Sequence, residues 1–333
     1  MANDMVSVIV CTYNQQDTIG RTLESILSQE CHMPVEIIIG EDGSTDGTLA
    51  VCQTYQEQHP DAIRILSRPV NKGFVSNYFD CLRACRGKYI ADCAGDDFWL
   101  DRQKLELQVR IMEQDPSVGI VHTDWLRYNP QTEELVPPDE SPRECPLPLG
   151  EGWEKAILTP GARPAIHLCT ALYRNDWVRQ AMHQYPQFFD PERYLCEDVQ
   201  IAFFLARMGK VAYIDRPTLA YTCGATSISN PSSEEKHFHF WANTTRLSYD
   251  LAQTFGLRDP HLDRFLQARL HKLLMHAFRS GKHSLRSEAV RLQKEMHIAD
   301  NGKTLFAKFI TLPLVWPAML CIRKLYVALK HRR

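Results

Sequence analysis

"VSVIVCTYNQQDTIGRTLESILSQ", residues 6–29, opens as one kind of structure and closes as another. The run 6–13 is apolar and β-branched between polar neighbours, which predicts a buried strand. From 17 to 29 the apolar residues fall at Ile19, Leu23, Ile26 and Leu27, the spacing of a helix. The unit then repeats. Strands are expected over 35–44, 62–67 and 88–94, with helices over 46–58 and 73–87. Strands alternating with helices at this interval imply right-handed crossovers and a parallel, doubly wound sheet. Ligands of such sheets sit beyond the carboxyl ends of the strands. Those ends are polar here: Thr12, Tyr13 and Asn14 after the first, Glu41, Asp42 and Gly43 after the second, Asp96 and Asp97 after the fourth.

The adjacent pair Asp96 and Asp97, in "YIADCAGDDFWLDRQKL" (89–105), raises its own question. Neighbouring carboxylates repel unless a cation or open water relieves them. A solvated Gly-Asp-Asp turn is one reading; a divalent-metal site holding an anionic ligand is the other.

Farther along, 117–225 is looser. "VGIVHTDWLRY" and "HLCTALYR" read as strands separated by proline-rich loops, and 198–209 reads as a helix stopped by Gly209. After residue 230 leucines recur at helical intervals to about residue 298. The expected division is therefore 1–230 as one α/β domain, split at 115 into a nucleotide half and an acceptor half, with 231–302 a helical extension and 303–333 a separate tail.

Composition narrows the function. The 333 residues are 44% hydrophobic and 23% charged, ordinary for a soluble globular chain. A formal net charge of −2 gives no basis for nucleic-acid binding. The 11 cysteines show no CxxC pairing and read as free thiols in a reducing compartment. The N-terminus lacks the basic flank and apolar stretch of a secretory signal, so a cytoplasmic location is expected. No G-x-G-x-x-G follows the first strand, against a dinucleotide site, and no glycine-rich phosphate cradle marks a nucleotidyltransferase. The tail 303–333 has no acidic residue and holds an uncharged run of 14 residues, 309–322, too short to span a bilayer. Its Pro313 and Pro317 also oppose a spanning helix. It is expected to lie on an anionic inner leaflet through Arg323, Lys324, Lys330, Arg332 and Arg333, or to pack as a helix on the body.

"VSVIVCTYNQQDTIGRTLESILSQ", "EIIIGEDGSTDGT" and "NKGFVSNYFDCLRACRGKYIADCAGDDFW", in that order, resemble the inverting glycosyltransferases of family 2 over roughly residues 5–225. "GDDFW" followed by "KLELQ" resembles the bacterial members that build surface polysaccharides. The resemblance implies the GT-A fold, a doubly wound mixed sheet binding a nucleotide-diphosphate sugar, here followed by a mainly helical extension. It implies transfer of the sugar, from a UDP-sugar by preference, to a hydroxyl of a glycan or lipid-linked acceptor.

Residue by residue, the resemblance places Thr12, Tyr13 and Asn14 at the base and ribose, and makes Asp42 acceptor of a pyrimidine ring N–H. Asn71, Gly73, Asn77 and Asp97 join the donor site. Asp46 either contacts the donor or caps the following helix. Asp96 would bind Mg²⁺ or Mn²⁺ bridging the diphosphate. In "YLCEDVQIAFFLARMGK" (194–210), Asp198, beside Glu197, would act as the base, kept ionised by the helix N-terminus.

The chain departs from the family pattern in two places. Ala94 stands where relatives carry an acidic residue, with Asp92 two residues earlier on the same strand face. Thr222 and Gly224 stand where relatives carry a basic residue and a histidine, leaving His122 and His167 as candidate substitutes. A non-catalytic nucleotide-sugar-binding or scaffold protein of the same fold is the alternative.

Overall fold

The run that opens the sequence lies inside a single mixed sheet. The computed structural model describes residues 3–138, 152–159, 165–223, 233–257 and 260–330. Nine strands appear among them: β1 (Asn3–Thr12), β2 (Val35–Glu41), β3 (Ile63–Ser67), β4 (Gly87–Asp92), β5 (Phe98–Trp99), β6 (Val118–Tyr128), β7 (Leu135–Val136), β8 (Leu172–Arg174) and β9 (Lys210–Thr222). Their order is β3-β2-β1-β4-β8-β6-β9-β5, with β7 on β6.

The first four strands are parallel, as the crossover argument requires, with Val8 opposite both Ile37 and Ala91. Beyond β4 the sheet becomes mixed. β8 is antiparallel to both β4 and β6, and β9 runs parallel to β6. Of the strand expected over "HLCTALYR", only Leu172–Arg174 forms. The preceding Leu168–Thr170 is a 3₁₀ turn whose carbonyls serve side chains instead of a ladder: Thr170 accepts from Gln108 Nε2 (2.8 Å) and Cys169 from the Trp99 indole (3.3 Å).

Helices α1 (Ile19–Leu27), α2 (Thr48–Gln58), α3 (Phe74–Ala84) and α4 (Lys104–Gln114) accompany this half. Val6, Val8 and Val10 pack with Leu23 and Ile26 of α1 and Leu105 and Val109 of α4. The strand period of two sends Ile9 to the other face, where α3 lies against β1 and β2. Helices α5 (Trp153–Leu158), α6 (Asn175–Gln184) and α7 (Asp198–Met208) follow. Side chains of α7 are buried almost all round, Ile201 to Ala206 without a break, because α7 lies among α5, α6, β6 and β9. All ten cysteines among the described residues are free thiols.

The chain divides into two compact units, 1–225 and 226–333. The second is helical: α8 (Glu234–Thr254), α9 (Pro260–Ser280), α10 (His283–Glu295), α11 (Gly302–Ile310) and α12 (Trp316–Lys330). The leucines spaced along 262–274 form the buried stripe of α9, against which α8, α10 and α11 pack. Asn301 and Thr304 cap α11 reciprocally. Residues 303–333 thus belong to this unit. Trp316 is buried and donates its indole N–H to the Phe278 carbonyl (3.1 Å). Pro317 sits in the first turn of α12, where its missing N–H costs no helical hydrogen bond. Among the described residues no helix is long and apolar enough to cross a membrane.

Candidate functional site

Three polar strand ends, each trivial alone, are tied to one another by hydrogen bonds. Asn14 adopts a left-handed φ of 52°, a conformation asparagine tolerates. There its backbone N–H donates to Ser44 Oγ (3.0 Å) while its Oδ1 accepts the Thr45 N–H (2.8 Å). The Gln16 side chain accepts the Gly47 N–H (2.7 Å), and Gln15 N–H donates to Thr48 Oγ1 (2.8 Å). The loops after β1 and β2 are one laced platform. Tyr13 stands out of it, 43% exposed, the ring left free to meet a flat ligand.

Asp46 accepts from Thr48 N–H (3.0 Å) and Gln16 N–H (3.3 Å). Burial raises its pKa, but the Thr48 and Gln16 donors outweigh that and hold it low. It is a turn organiser at the start of α2. Asp42 is buried, its two oxygens accepting the Lys72 N–H (3.0 Å) and Gly73 N–H (2.9 Å), with Arg68 3.6 Å away. Gly43, at φ 72°, is held beneath Val70, where any Cβ would sit 2.8 Å from that carbonyl carbon. Asn71 accepts the Gly73 N–H (2.9 Å) and stays exposed at the rim. Asn77 is a departure from expectation. It is buried and donates to the Gly40 carbonyl (2.7 Å), so its amide faces the underside of β2 and not a ligand.

The end of β4 joins the same platform. Gly95 N–H donates to the Cys11 carbonyl (3.1 Å), and a Cβ there would collide with Gln15 Oε1 and lie 2.9 Å from Thr12 Cβ. Thr12 is buried beneath, donating to Gln15 (2.9 Å). Asp96 is half-buried. Burial raises its pKa, against the lowering pull of its own N–H, the Gln15 amide and Arg21. Arg21 stacks on Phe98 (4.1 Å) and Tyr128 (4.7 Å) and donates to the Asp96 carbonyl (3.4 Å).

Asp97 turns inward. Its Oδ1 accepts the Thr222 N–H (2.8 Å) at the end of β9, and its buried Oδ2 has no partner. Burial, and next the charge of Asp96, push its pKa well up. Thr222 also donates its hydroxyl to the Asp96 carbonyl (2.5 Å). Thus Thr222, read from sequence only as a missing ligand, is the pin that ties β9 to the acidic turn. Sequence spacing carries no signal for that pin or for Arg21, since both act across more than 70 residues.

Glu197 and Asp198 begin α7. Burial, then the Asp198 charge, raise Glu197 well above the usual range. The Glu197 charge is in turn felt at Cys11 and Tyr78. Asp198 is exposed at its surface and enclosed by protein behind it, and that enclosure raises its pKa despite the N–H groups of Val199 and Asp198 itself. Enclosure thus outweighs the helix start at Asp198.

The three substitute ligands sit in buried or ring-packed surroundings. Asp92 is buried with both oxygens unpartnered, and burial raises its pKa to about 7 against the hydroxyls of Tyr173 and Tyr78 and the charge of Lys104. His122 is buried between Trp153 and Tyr213 and lowered by burial to about 3. His167 packs on Tyr221 and Trp125 and is lowered by burial to about 4. Gly224 lies outside the described residues. Among the described residues one cluster has the donors of a metal site, Cys31, His32 and Glu106, but it lies at the start of β2, the opposite end of that strand from Asp42. Glu106 there is paired with His32 (2.7 Å) and Arg110 (2.6 Å). At the acidic turn, the donor set that fits a hard divalent ion is Asp96 with the orphaned oxygen of Asp97.

A sequence profile described as Glycosyl transferase family 2 matches residues 7–180. An uncharacterized protein of Mycobacterium tuberculosis is 36% identical over 115 residues, 34% of this chain and 33% of its own. The UDP-Glc:alpha-D-GlcNAc-diphosphoundecaprenol beta-1,3-glucosyltransferase WfaP of Escherichia coli is 34% identical over 112 residues, 34% of this chain and 43% of its own. These alignments span about a third to two fifths of the relatives' length. In three dimensions the chain is similar to S. aureus TarS 1–349, solved with UDP-GlcNAc, at a TM-score of 0.62 and 17% identity, covering 88% of this chain and 80% of that one.

Proposed function

The chain belongs to glycosyl transferase family 2, and on that footing we propose that it moves a sugar from a UDP-sugar to a hydroxyl of a glycan or lipid-linked acceptor, with inversion, in surface-polysaccharide synthesis. The observation that carries the proposal is the joining of the β1, β2 and β4 ends, and of β9 to them, through Asn14, Gln15, Gly95 and Thr222. The UDP-GlcNAc bound to TarS and the UDP-Glc and diphosphoundecaprenol of WfaP support the choice of base and of a diphosphate-lipid acceptor.

Each residue then has a task. The pyrimidine ring stacks at Tyr13 and donates its N–H to Asp42, which the N–H groups of Lys72 and Gly73 already fix in place. Asp96, backed by the free oxygen of Asp97, would hold Mg²⁺ or Mn²⁺ against the diphosphate. When bound, such an ion draws charge off the departing nucleoside diphosphate. Asp198 takes the proton of the acceptor hydroxyl as that oxygen attacks the anomeric carbon from the face opposite the diphosphate. A single displacement inverts the centre, and no enzyme nucleophile is needed.

Inner-leaflet contact belongs to the same reading. Leu305, Phe306 and Phe309 of α11 and Leu314 of the following turn are all more than half exposed, Leu314 at 96%. Lys303 lies beside them, Lys308 is paired with Asp300 (2.6 Å), and 303–333 holds no acidic residue. Such an apolar ledge with basic flanks suits an anionic bilayer surface. Deleting 303–333 would also strip Trp316 from the core, so the cleaner variant replaces Phe306, Phe309 and Leu314 by serine. Loss of sedimentation with phosphatidylglycerol vesicles, at unchanged thermal stability, is the expected result.

The donor reading is tested by titrating UDP-, GDP- and dTDP-sugars with and without Mn²⁺, on wild type and Asp96→Ala. Metal-dependent binding of one UDP-sugar, lost in the variant, is expected. Binding indifferent to both metal and Asp96 would remove the metal role, and no binding of any nucleotide sugar would turn the reading to a scaffold.

A further inference from the structure

In the helical unit two cations crowd one aromatic ring. Lys272 Nζ of α9 lies 3.4 Å from the ring centre of Trp241 on α8, and the Arg269 guanidinium carbon lies 4.0 Å from the same ring. Arg269 also rests on Phe265 at 4.8 Å. Its Nε is buried without a hydrogen-bond partner. Among the described residues neither cation has a carboxylate within ion-pair distance. Glu234, on the same face of α8 as Trp241, is already held by His276 (2.6 Å) and Arg279 (3.8 Å). His237, one turn before Trp241, stacks on His276 at 5.3 Å and has a buried, unpartnered Nδ1.

Two like charges over one indole are costly when partly buried. Burial, and then Arg269 and Arg279, lower Lys272 to about 8. Ring contact offsets only part of that cost. Both side chains are only part-buried, so an anion arriving at them could complete the charge balance. A guanidinium fork beside an ammonium point charge matches tetrahedral phosphate oxygens.

We propose that Arg269 and Lys272, held against Trp241, form a binding site for a phosphate or diphosphate group in the second unit, separate from the nucleotide-sugar site. The group arrives either free or as the phosphate of a lipid. The site does not rest on the donor reading, and its test is run without metal so that the two fail separately.

The full-length protein in EDTA is titrated with inorganic pyrophosphate at fixed ionic strength, with chloride as control, reading Tm and calorimetric affinity. Pyrophosphate is expected to raise Tm and to bind about tenfold or more weaker in R269Q/K272Q, since removing one charge-assisted hydrogen bond weakens binding by on the order of tenfold. R269K/K272R, which keeps both charges, should retain most of the affinity and controls for folding. Without anion, K272Q should match or exceed the wild-type Tm. Vesicle sedimentation separates the sources. Phosphatidylglycerol binding that falls in R269Q/K272Q, with no pyrophosphate response, assigns a lipid phosphate; the reverse assigns a free one. Equal responses of wild type and R269Q/K272Q to both probes, or a K272Q variant that is destabilised without anion, overturn the proposal.

Discussion

Replacing Asp97 by asparagine should stabilise the protein while damaging its donor site. Asp97 is 1% exposed, and one of its oxygens is tied to the Thr222 N–H while the other meets nothing. Asparagine keeps the oxygen for Thr222 and removes the charge that burial and Asp96 oppose. A buried polar group left unpaired costs about 1–3 kcal/mol, more when ionised. The amide nitrogen inherits the unpaired position, so the gain for Asp97→Asn is the difference between an unpaired charge and an unpaired amide, about 1–2 kcal/mol, or roughly 2–8 °C in Tm for a unit of this size. The pH dependence has a fixed sign. The folded pKa of Asp97 is raised, so the wild type keeps its proton most favourably in acid and loses that stability as pH rises through the folded pKa. The gap between variant and wild type should widen as pH rises from the ordinary carboxylate range toward the folded pKa, and close below that range. Scanning calorimetry from pH 4 to 8 in EDTA measures it. Mn²⁺ with UDP should then raise the wild-type Tm more than that of the variant. A variant less stable than wild type at pH 7 without metal would refute the reasoning, for it would mean the second carboxylate is already satisfied.

Asp198→Asn should cut turnover by roughly 10²–10⁴ while donor binding persists, the scale of a lost general base. Because enclosure raises the pKa of Asp198, wild-type turnover should fall with acidification at a higher pH than an ordinary carboxylate gives, and that limb should vanish in the variant. Gly95→Ala forces its Cβ onto Gln15 Oε1 and to 2.9 Å from Thr12, so it should cost about 1–3 kcal/mol and raise KM for the donor. Gly256→Ala, with φ 64° but open space, is its control and should cost about 1 kcal/mol with KM unmoved. Trp316→Ala empties a buried site against Phe278 and should cost about 3–5 kcal/mol by chemical denaturation.

Local sequence determined most of the nucleotide half. The period of two in β1 and β2, the period of 3.6 in α1 and the polar residues at each strand end are local signals, and by themselves they place Asp42 and Asp96 on one edge. What they leave open is which side chains face that edge. Asn77 and Asp92 lie in the right elements, yet burial turns one onto the Gly40 carbonyl and leaves the other enclosed beneath the sheet. His122 and His167 read as metal ligands only until Trp153, Tyr213 and Tyr221 pack around them. The pins that assemble the site, Arg21 on Phe98 and Thr222 on Asp97, join residues far apart in the chain. The tertiary structure alone decided these, because burial and hydrogen bonding across the sheet depend on what other segments bring to the same point, and a chain read in order does not contain that.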